Sequence, residues 1–474
     1  MNRLRRVVRH ARTPRALPAL VWKNIKAALA SRRPDHWREL GRNLAERGRH
    51  LEALECYDRA LMLEPDSPQL LKTRSDVLRS LGRHDEAVES LRRALKLKPD
   101  FASAHFELGN VLYYSLGRTA EAVASYRSTL RLQPDMPRLH ARLGMALLKA
   151  GQFKEGWAEF ERRWRTDNVS APFCQPLWNG EAIGDRVLLL FTHDHAGYGD
   201  TLQFCRYVPQ VAAGAPRLIL WVQPSLVRLL SRLPGVSEVI ALGGAPPSCD
   251  LQCAIMRLPY IAGTTIESIP AATPYLTADP ADIESWRKRL AGVSGLRVGL
   301  CWAGERRPTP RQLAWNRLRS VSLEMLARLG EIPGVQFISL QKGRAAIEAA
   351  SLPSGMALHD FTADLHDFSD TAALIENLDL VISVDTAIAH LAGALGKPIW
   401  LLNPSWACWR WLLDRDDSPW YPSLRQFRQQ TPGDWRSVIS RVEDALQRLA
   451  AGDRSQLLPA LAQGHHEQAI NHPQ

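Results

Sequence analysis

The amino-acid sequence predicts an α plus α/β protein, in which an array of paired helices precedes two doubly wound α/β domains. Three observations lead there. A glycine recurs about every 34 residues through the first third of the chain, and apolar positions between those glycines keep a helical spacing. From about Gly180, short apolar runs then alternate with helical segments. A chain of 474 residues is also too long for one hydrophobic core, so several domains are expected on length alone.

Residues 1–34 read as a basic arm. The stretch is rich in arginine, and Pro18 breaks its short apolar run from Ala16 to Trp22, so neither a signal peptide nor a membrane span is expected. A loosely ordered tail is one reading and peripheral contact with an anionic membrane is the other.

Residues 35–170 carry the repeats. RGRHLEALECYDRALMLEPD, LGRHDEAVESLRRALKLKPD and LGRTAEAVASYRSTLRLQPD align, and AGQFKEGWAEFERRWR begins a fourth, partial copy. Gly48, Gly82, Gly117 and Gly151 mark the tight turn between two helices, where a left-handed conformation costs glycine little. Ala87, Leu91, Ala94 and Leu95 give the second helix of one unit its apolar stripe. Pro65, Pro99 and Pro134, each followed by Asp, stop that helix before the next unit. The period is that of tetratricopeptide repeats, whose stacked hairpins form a concave surface. The array is expected to bind a protein or peptide there, with a rigid extension as the alternative.

Residues 180–280 form the first α/β half, with strands expected at RVLLLF, PRLILWV, SEVIAL and DLQCAI. After a helix and linker at 280–295 the pattern restarts over 295–450 with LRVGLCWAG, GVQFISLQKG and NLDLVISV. Two such series predict two Rossmann-like domains with a cleft between them. The remainder, 451–474, reads as a polar, frayed tail.

Two strand-to-helix junctions carry candidate chemistry. At Gly197-Tyr198-Gly199-Asp200 the glycines admit a ligand close to the backbone, and Asp200 stands at the mouth of the cleft. An aspartate that merely caps a helix is the plainer reading. The second junction is a strand at Asn377–Val384 followed by DTAIAHLAGALGKP. Asp385 or Thr386 caps the new helix, and its first N–H groups, from Ala387 on, suit a diphosphate. His390 lies one turn after Thr386 on the same face. A capped helix with a satisfied core histidine is the alternative.

The charge balance is basic, +11 from 60 Lys and Arg against 49 Asp and Glu, which favours anionic partners. No nucleic-acid recognition module surrounds the basic residues, so nucleic acid is not an expected partner. The seven cysteines are scattered without a CxxC pair and read as free thiols in a reducing cytoplasm. His193, Asp194 and His195 alternate at a strand end, but without further ligands they predict no metal site. Trp400, Trp406, Trp409, Trp411 and Trp420 are expected to fill a seam between domains, with a sugar platform as the alternative.

VDTAIAHLAGALGKP resembles the donor-binding signature of the family 9 glycosyltransferases, which include heptosyltransferases of lipopolysaccharide synthesis. GLCWAG, ISLQKG, GYGDTLQFCRYVP and the run Trp409–Gln429 match as well. The resemblance extends from about Leu40 to Gln430 and is closer to bacterial fusions in which tetratricopeptide repeats precede such a module. It implies the GT-B fold, with a nucleotide-sugar donor in the C-terminal half and no further cofactor. A diphosphate is then expected near Asp385, Thr386, Ala387 and His390, and the nucleotide near Gln341, Lys342 and Gly343. Asp200, beside Gly197 and Gly199, becomes the general base. Helix N–H groups, Lys342, Arg319 and His390 would balance the leaving group without a metal, and the sugar would be transferred with inversion.

Three places depart from the family pattern: Thr192–Ala196 ahead of the GxGD turn, Asn316 and Leu318 in the donor loop, and Cys408 before Trp-Arg-Trp. The expected function is transfer of a sugar to a protein acceptor held by the repeats. A lipid-linked saccharide acceptor is the first alternative, and a catalytically degenerate scaffold the second. The expected location is the cytoplasm, with peripheral membrane contact left open.

Overall fold

The computed structural model describes residues 33–136, 138–166, 174–193, 196–304 and 316–459. Almost all of the basic arm, the end of the tail, residues 305–315, and Asp194 and His195 lie outside the described residues.

Each repeat closes on its glycine. Gly48, Gly82, Gly117 and Gly151 all take a positive φ, between 68° and 78°, which a side chain would disfavour. They join α1 (Pro34–Glu46) to α2 (His50–Leu63), α3 (Pro68–Ser80) to α4 (His84–Leu97), α5 (Ala102–Tyr114) to α6 (Thr119–Leu132), and α7 (Leu139–Lys149) to α8 (Phe153–Thr166). Proline opens α1 and α3, where its missing N–H is not needed. Arg49, Arg83 and Arg118 repeat one device: each precedes the second helix and donates to the glutamate three residues on, Glu52 at 2.7 Å and Glu86 and Glu121 at 2.6 Å. Leu40, Leu44, Tyr57, Leu70, Leu91, Leu112, Tyr126 and Leu143 belong to one continuous core, as stacked hairpins require.

Two compact units are distinguished, and the last repeat is divided between them. Gly151–Glu161 group with the α/β part, whereas Arg162–Val169 group with the array up to Ala150. Within the second unit, Trp157 stands edge-on to Trp409 (5.3 Å) and to Phe204 (6.2 Å), and Phe153 stacks on Trp420 (6.2 Å). Glu161 accepts from Arg257 Nε at 2.7 Å. Trp409 and Trp420 are therefore packing residues here, each at most 3% exposed.

The first half of that unit is a parallel sheet in the order β3-β2-β1-β4, formed by β1 (Val187–Phe191), β2 (Arg217–Val222), β3 (Glu238–Ala241) and β4 (Leu251–Ala254). Leu188 pairs with Leu218 on one side and Leu251 on the other. The helix after β1 is interrupted. It runs as α9 (Tyr198–Phe204), a 3₁₀ turn at Cys205–Tyr207 and a short helix at Val208–Ala212, because Pro209 cannot donate into a continuous helix.

The second half is also parallel, in the order β10-β9-β8-β5-β6-β7. Its strands are β5 (Leu296–Cys301), β6 (Val335–Ser339), β7 (Leu358–His359), β8 (Leu380–Val384), β9 (Ile399–Asn403) and β10 (Leu424–Arg428). β8 begins three residues later than the sequence pattern indicates. Asn377 instead ends helix α11 (Phe368–Glu376) and donates from Nδ2 to Ala373 O and to Ile283 O, the latter in α10 (Pro280–Arg289). After β8 comes α12 (Ala387–Ala394), and α13 (Trp435–Ala450) covers the sheet with Val438, Val442 and Leu446 buried.

The described start of the tail is docked rather than frayed, since Gln456 O accepts from Trp400 Nε1 (3.2 Å) and Arg425 Nη1 (3.1 Å). The two halves are clasped by Arg228. It donates to both carboxylate oxygens of Asp367 at 2.9 Å, to Asp282 at 3.3 Å and also to Asp370. Asp367 in turn caps α11 by accepting from Ser369 N and Asp370 N. Among the described residues no helix is long and apolar enough to cross a membrane.

Candidate functional site

Strand order locates the site. In the second sheet the chain leaves β5 towards β6 and later returns to β5's other side as β8, so the order reverses between β5 and β8. In the first sheet the reversal lies between β1 and β4. At such switch points the connecting loops part and leave a crevice at the carboxyl ends of the strands. Both sequence-predicted junctions are there: Gly197–Asp200 follows β1 and Asp385–His390 follows β8.

The two junctions touch. Gly199 lies so close to α12 that a Cβ on it would stand 2.6 Å from His390 Cδ2, which is why a side chain cannot be accommodated. Gly197 is the N-cap of α9 and donates its N–H to Asp200 Oδ2 at 2.8 Å, so the capping reading of Asp200 holds in part. The other oxygen, Oδ1, accepts from Arg410 Nη2. Arg410 also donates to Gln203 Oε1 and, at 3.1 Å, to Cys408 Sγ, and its guanidinium lies 4.6 Å from the Trp409 ring. Burial opposes this charge, but Cys408 and the Asp200 and Asp385 carboxylates outweigh burial and raise its pKa.

His390 matches the plainer of its two readings. The ring is 4% exposed, stacks on Trp411 at 5.3 Å and shares a 2.8 Å hydrogen bond between Nδ1 and the Tyr421 hydroxyl. Burial, with help from Arg410 and Arg206, holds its pKa well below 6.5 and favours the neutral imidazole. Positive potential comes from the arginines instead. Arg206 is 3% exposed, none of its guanidinium nitrogens has a hydrogen-bond partner, and it is enclosed by the rings of Tyr275 (4.6 Å), Tyr421 (4.9 Å) and Trp420 (5.6 Å).

The remaining predicted residues form the floor at β5, β6 and β8. Thr386 is the N-cap of α12 but makes no side-chain cap, its hydroxyl being turned to Ser383 Oγ (3.0 Å) and Cys301 Sγ (3.6 Å). Asp385 O accepts from Arg319 Nη1 at 3.0 Å, and Asn316 Oδ1 accepts from Arg319 Nε at 3.0 Å. Asn316, a departure from the family pattern, thereby positions Arg319. Gln341 is fully used internally: Oε1 accepts from Trp302 N (3.1 Å) and Ala303 N (2.8 Å), while Nε2 donates to Ala303 O (3.0 Å) and Lys342 O (2.8 Å). It shapes the loop and has no group left for a nucleotide. Lys342 Nζ donates to Thr362 O and Leu365 O, both at 2.8 Å, and Gly343 turns the chain with φ at 76°. Among the described residues no group of three or more His, Cys, Asp or Glu could hold a metal ion.

Arg410, Gln203 and Tyr421 were not apparent from the sequence as site residues. The signal was a charge inside an aromatic run, Trp409-Arg410-Trp411, which needs a partner once that run is buried.

Comparison with known proteins agrees with this division. Tetratricopeptide-repeat models match residues 37–67, 76–113 and 112–170. The model of glycosyltransferase family 9 (heptosyltransferase) matches residues 363–401, the segment that holds Asp385–His390. Protein FlbA of Caulobacter vibrioides is 30% identical over 335 residues, covering 64% of this chain and 54% of that protein. The chain thus spans about half the length of this relative. Among solved structures, MamA of Desulfovibrio magneticus RS-1 is 19% identical over 35% of this chain and 92% of its own, with a TM-score of 0.30. YrrB, described as a TPR protein with an unusual peptide-binding site, is 19% identical over 31% of this chain and 75% of its own, with a TM-score of 0.28. The chain joins tetratricopeptide repeats to an α/β module similar to the family 9 glycosyltransferases.

Proposed function

We propose that the α/β module is a GT-B glycosyltransferase that moves a sugar from a nucleotide-sugar donor to an acceptor hydroxyl. One observation carries this reading: the turn that holds Asp200 meets α12 through Gly199 and His390, where the junctions after β1 and β8 come together. In the proposed step the acceptor oxygen bonds to the anomeric carbon and its proton passes to Asp200. The bond to the diphosphate oxygen breaks, and the nucleoside diphosphate leaves with the electron pair. Thr386 does not cap α12, so its first N–H groups remain available to the leaving phosphates, with Arg319 beside them. This needs no metal, and attack from the face opposite the leaving group inverts the anomeric centre.

The acceptor is proposed to be a protein segment held in the concave face of the repeats, which would raise its concentration near the cleft. The description of the matched family as heptosyltransferases supports a saccharide acceptor as the second reading. Shortening the array separates the two, because a saccharide acceptor tolerates it and a protein acceptor does not.

The test is a panel of nucleotide sugars incubated with the full chain and cell-derived protein or saccharide acceptors. Asp200→Asn, which keeps the Gly197 hydrogen bond, is expected to lower transfer by about 10²–10⁴-fold. Transfer undiminished in Asp200→Asn removes Asp200 from the chemistry. Absence of nucleotide binding to the folded chain removes the enzymatic reading and leaves the scaffold.

A further inference from the structure

In the arrangement described Asp200 is held as the partner of a cation, and each of its carboxylate oxygens already accepts a hydrogen bond. Oδ2 accepts from the Gly197 N–H and Oδ1 accepts from Arg410. Each oxygen keeps a further lone pair, but protonating the carboxylate removes the charge that pairs with Arg410. The Gly197 bond belongs to the turn that starts α9 and is local. The Arg410 bond spans 210 residues of sequence and joins the two halves of the module.

Arg410 is also the cation best placed for a second anion. It is held laterally by Gln203 and Cys408 and lies on the Trp409 ring, contacts that fix the plane of the guanidinium without neutralising it. The Asp385 carboxylate, at the residue before the α12 N-cap, lies near enough to contribute to raising its pKa. A second buried cation, Arg206, has no hydrogen-bond partner and acts with Arg410 on the same imidazole of His390. Arg410 thus lies by Asp200 and Asp385 beside the start of α12, and Arg206 adds a second buried guanidinium near His390 on that helix.

Resting on the glycosyltransferase reading above, we propose that Arg410 is a donor-binding residue that couples donor arrival to activation of the base. The guanidinium is contested between Asp200 and the donor diphosphate. When the diphosphate takes it, Asp200 Oδ1 is released and accepts the acceptor's proton without opposing the guanidinium. Asp200 then works better as a base with the donor site occupied, which disfavours activation of a hydroxyl or water before the donor is bound. The bidentate geometry of arginine suits it to either partner.

The competition is measurable without turnover. UDP, GDP, ADP, CDP and inorganic pyrophosphate are titrated calorimetrically into the full chain as wild type, Asp200→Asn, Arg410→Gln and Arg410→Lys, with melting curves to establish folding. Asp200→Asn removes the competing charge and is expected to tighten the preferred diphosphate by roughly tenfold, whereas Arg410→Gln weakens it by roughly tenfold or more, as for charge-assisted contacts generally. Arg410→Lys retains a charge but not the fork and falls between. If Arg410→Gln does not fold, the opposite-signed effect of Asp200→Asn and the intermediate effect of Arg410→Lys still decide. Binding by the wild type that is unchanged, or weakened, in Asp200→Asn overturns the coupling while leaving the donor reading intact. No binding of any of these probes by a folded wild type overturns both.

Discussion

His390, on the helix expected to bind the donor, is held in place by the protein's own side chains. Its imidazole is buried, neutral and wedged between Gly199, Trp411 and the Tyr421 hydroxyl. The folded pKa lies well below that of the unfolded chain, about 6.5. Above that value both states bind no proton here and the full contribution to stability is present. As pH falls below about 6.5 the unfolded state takes up the proton first, and stability is lost until the folded pKa is passed. Melting temperature should therefore drop more steeply between pH 6.5 and 5 in the wild type than in His390→Gln. Parallel curves for the two proteins would show that the ring titrates freely and is not held as described. Asp200, Gly199 and His390 were legible in the sequence because glycines, turns and helix starts are local features. Arg410 was not, since its meaning lies in a partner 210 residues away. Gln341 was legible as a position but not as a role, because its hydrogen bonds to Trp302 and Ala303 arise only when β5 and β6 lie side by side.

The repeats show compensation between helices. The eighth residue of the first helix is Gly41, Ser75 and Gly109 in successive units, and the eighth of the second is Tyr57, Leu91 and Tyr126. Tyrosine faces glycine, and leucine occurs where the glycine has become serine. A Cβ on Gly109 would stand 2.6 Å from the Tyr126 ring, which explains the pairing. Gly109→Ser is expected to cost about 1–3 kcal/mol by overpacking, and adding Tyr126→Leu should recover part of that loss. Thermal melts of the single and double variants measure the coupling, and additive effects would dissolve the pair. Periodicity made these helices readable in advance. The α/β elements were less so: buried parallel strands are short apolar runs, and β7, β9 and β10 carry no alternation to announce them. The interruption of the helix after β1 is set by Pro209, a signal present in the sequence.

At the scale of the whole chain, the dividing point between units lies inside the last repeat. Phe153, Trp157 and Phe160 belong to the second unit, packed on Phe204, Trp409 and Trp420. Burying three such rings is worth on the order of 10 kcal/mol as an upper estimate, comparable to the whole stability of a domain. A fragment of residues 151–459 is therefore expected to melt cooperatively and stay in solution, while one of residues 174–459 precipitates. Size-exclusion chromatography of the two fragments checks this, and equal behaviour would make the aromatic contact dispensable. The sequence pattern assigned this helix to the repeats because its glycine keeps their register. Phe153, Trp157 and Phe160 keep the i, i+4, i+7 spacing of one helical face, and that spacing does not tell which unit the face packs on.

The large sheet is finished differently at its two sides. β7 is only two residues long, and β10, at the opposite side, has its Gln426 N–H taken by Asp416 O at 2.6 Å, with charged Arg425 and Arg428 on the same strand. Neither margin presents a long row of free backbone groups to a neighbouring molecule. A parallel sheet is slow to assemble and exposed to mispairing while it does so. Once folded, this one offers little template for strand-to-strand growth, so it should resist fibrillar association at the concentrations a crowded cell imposes.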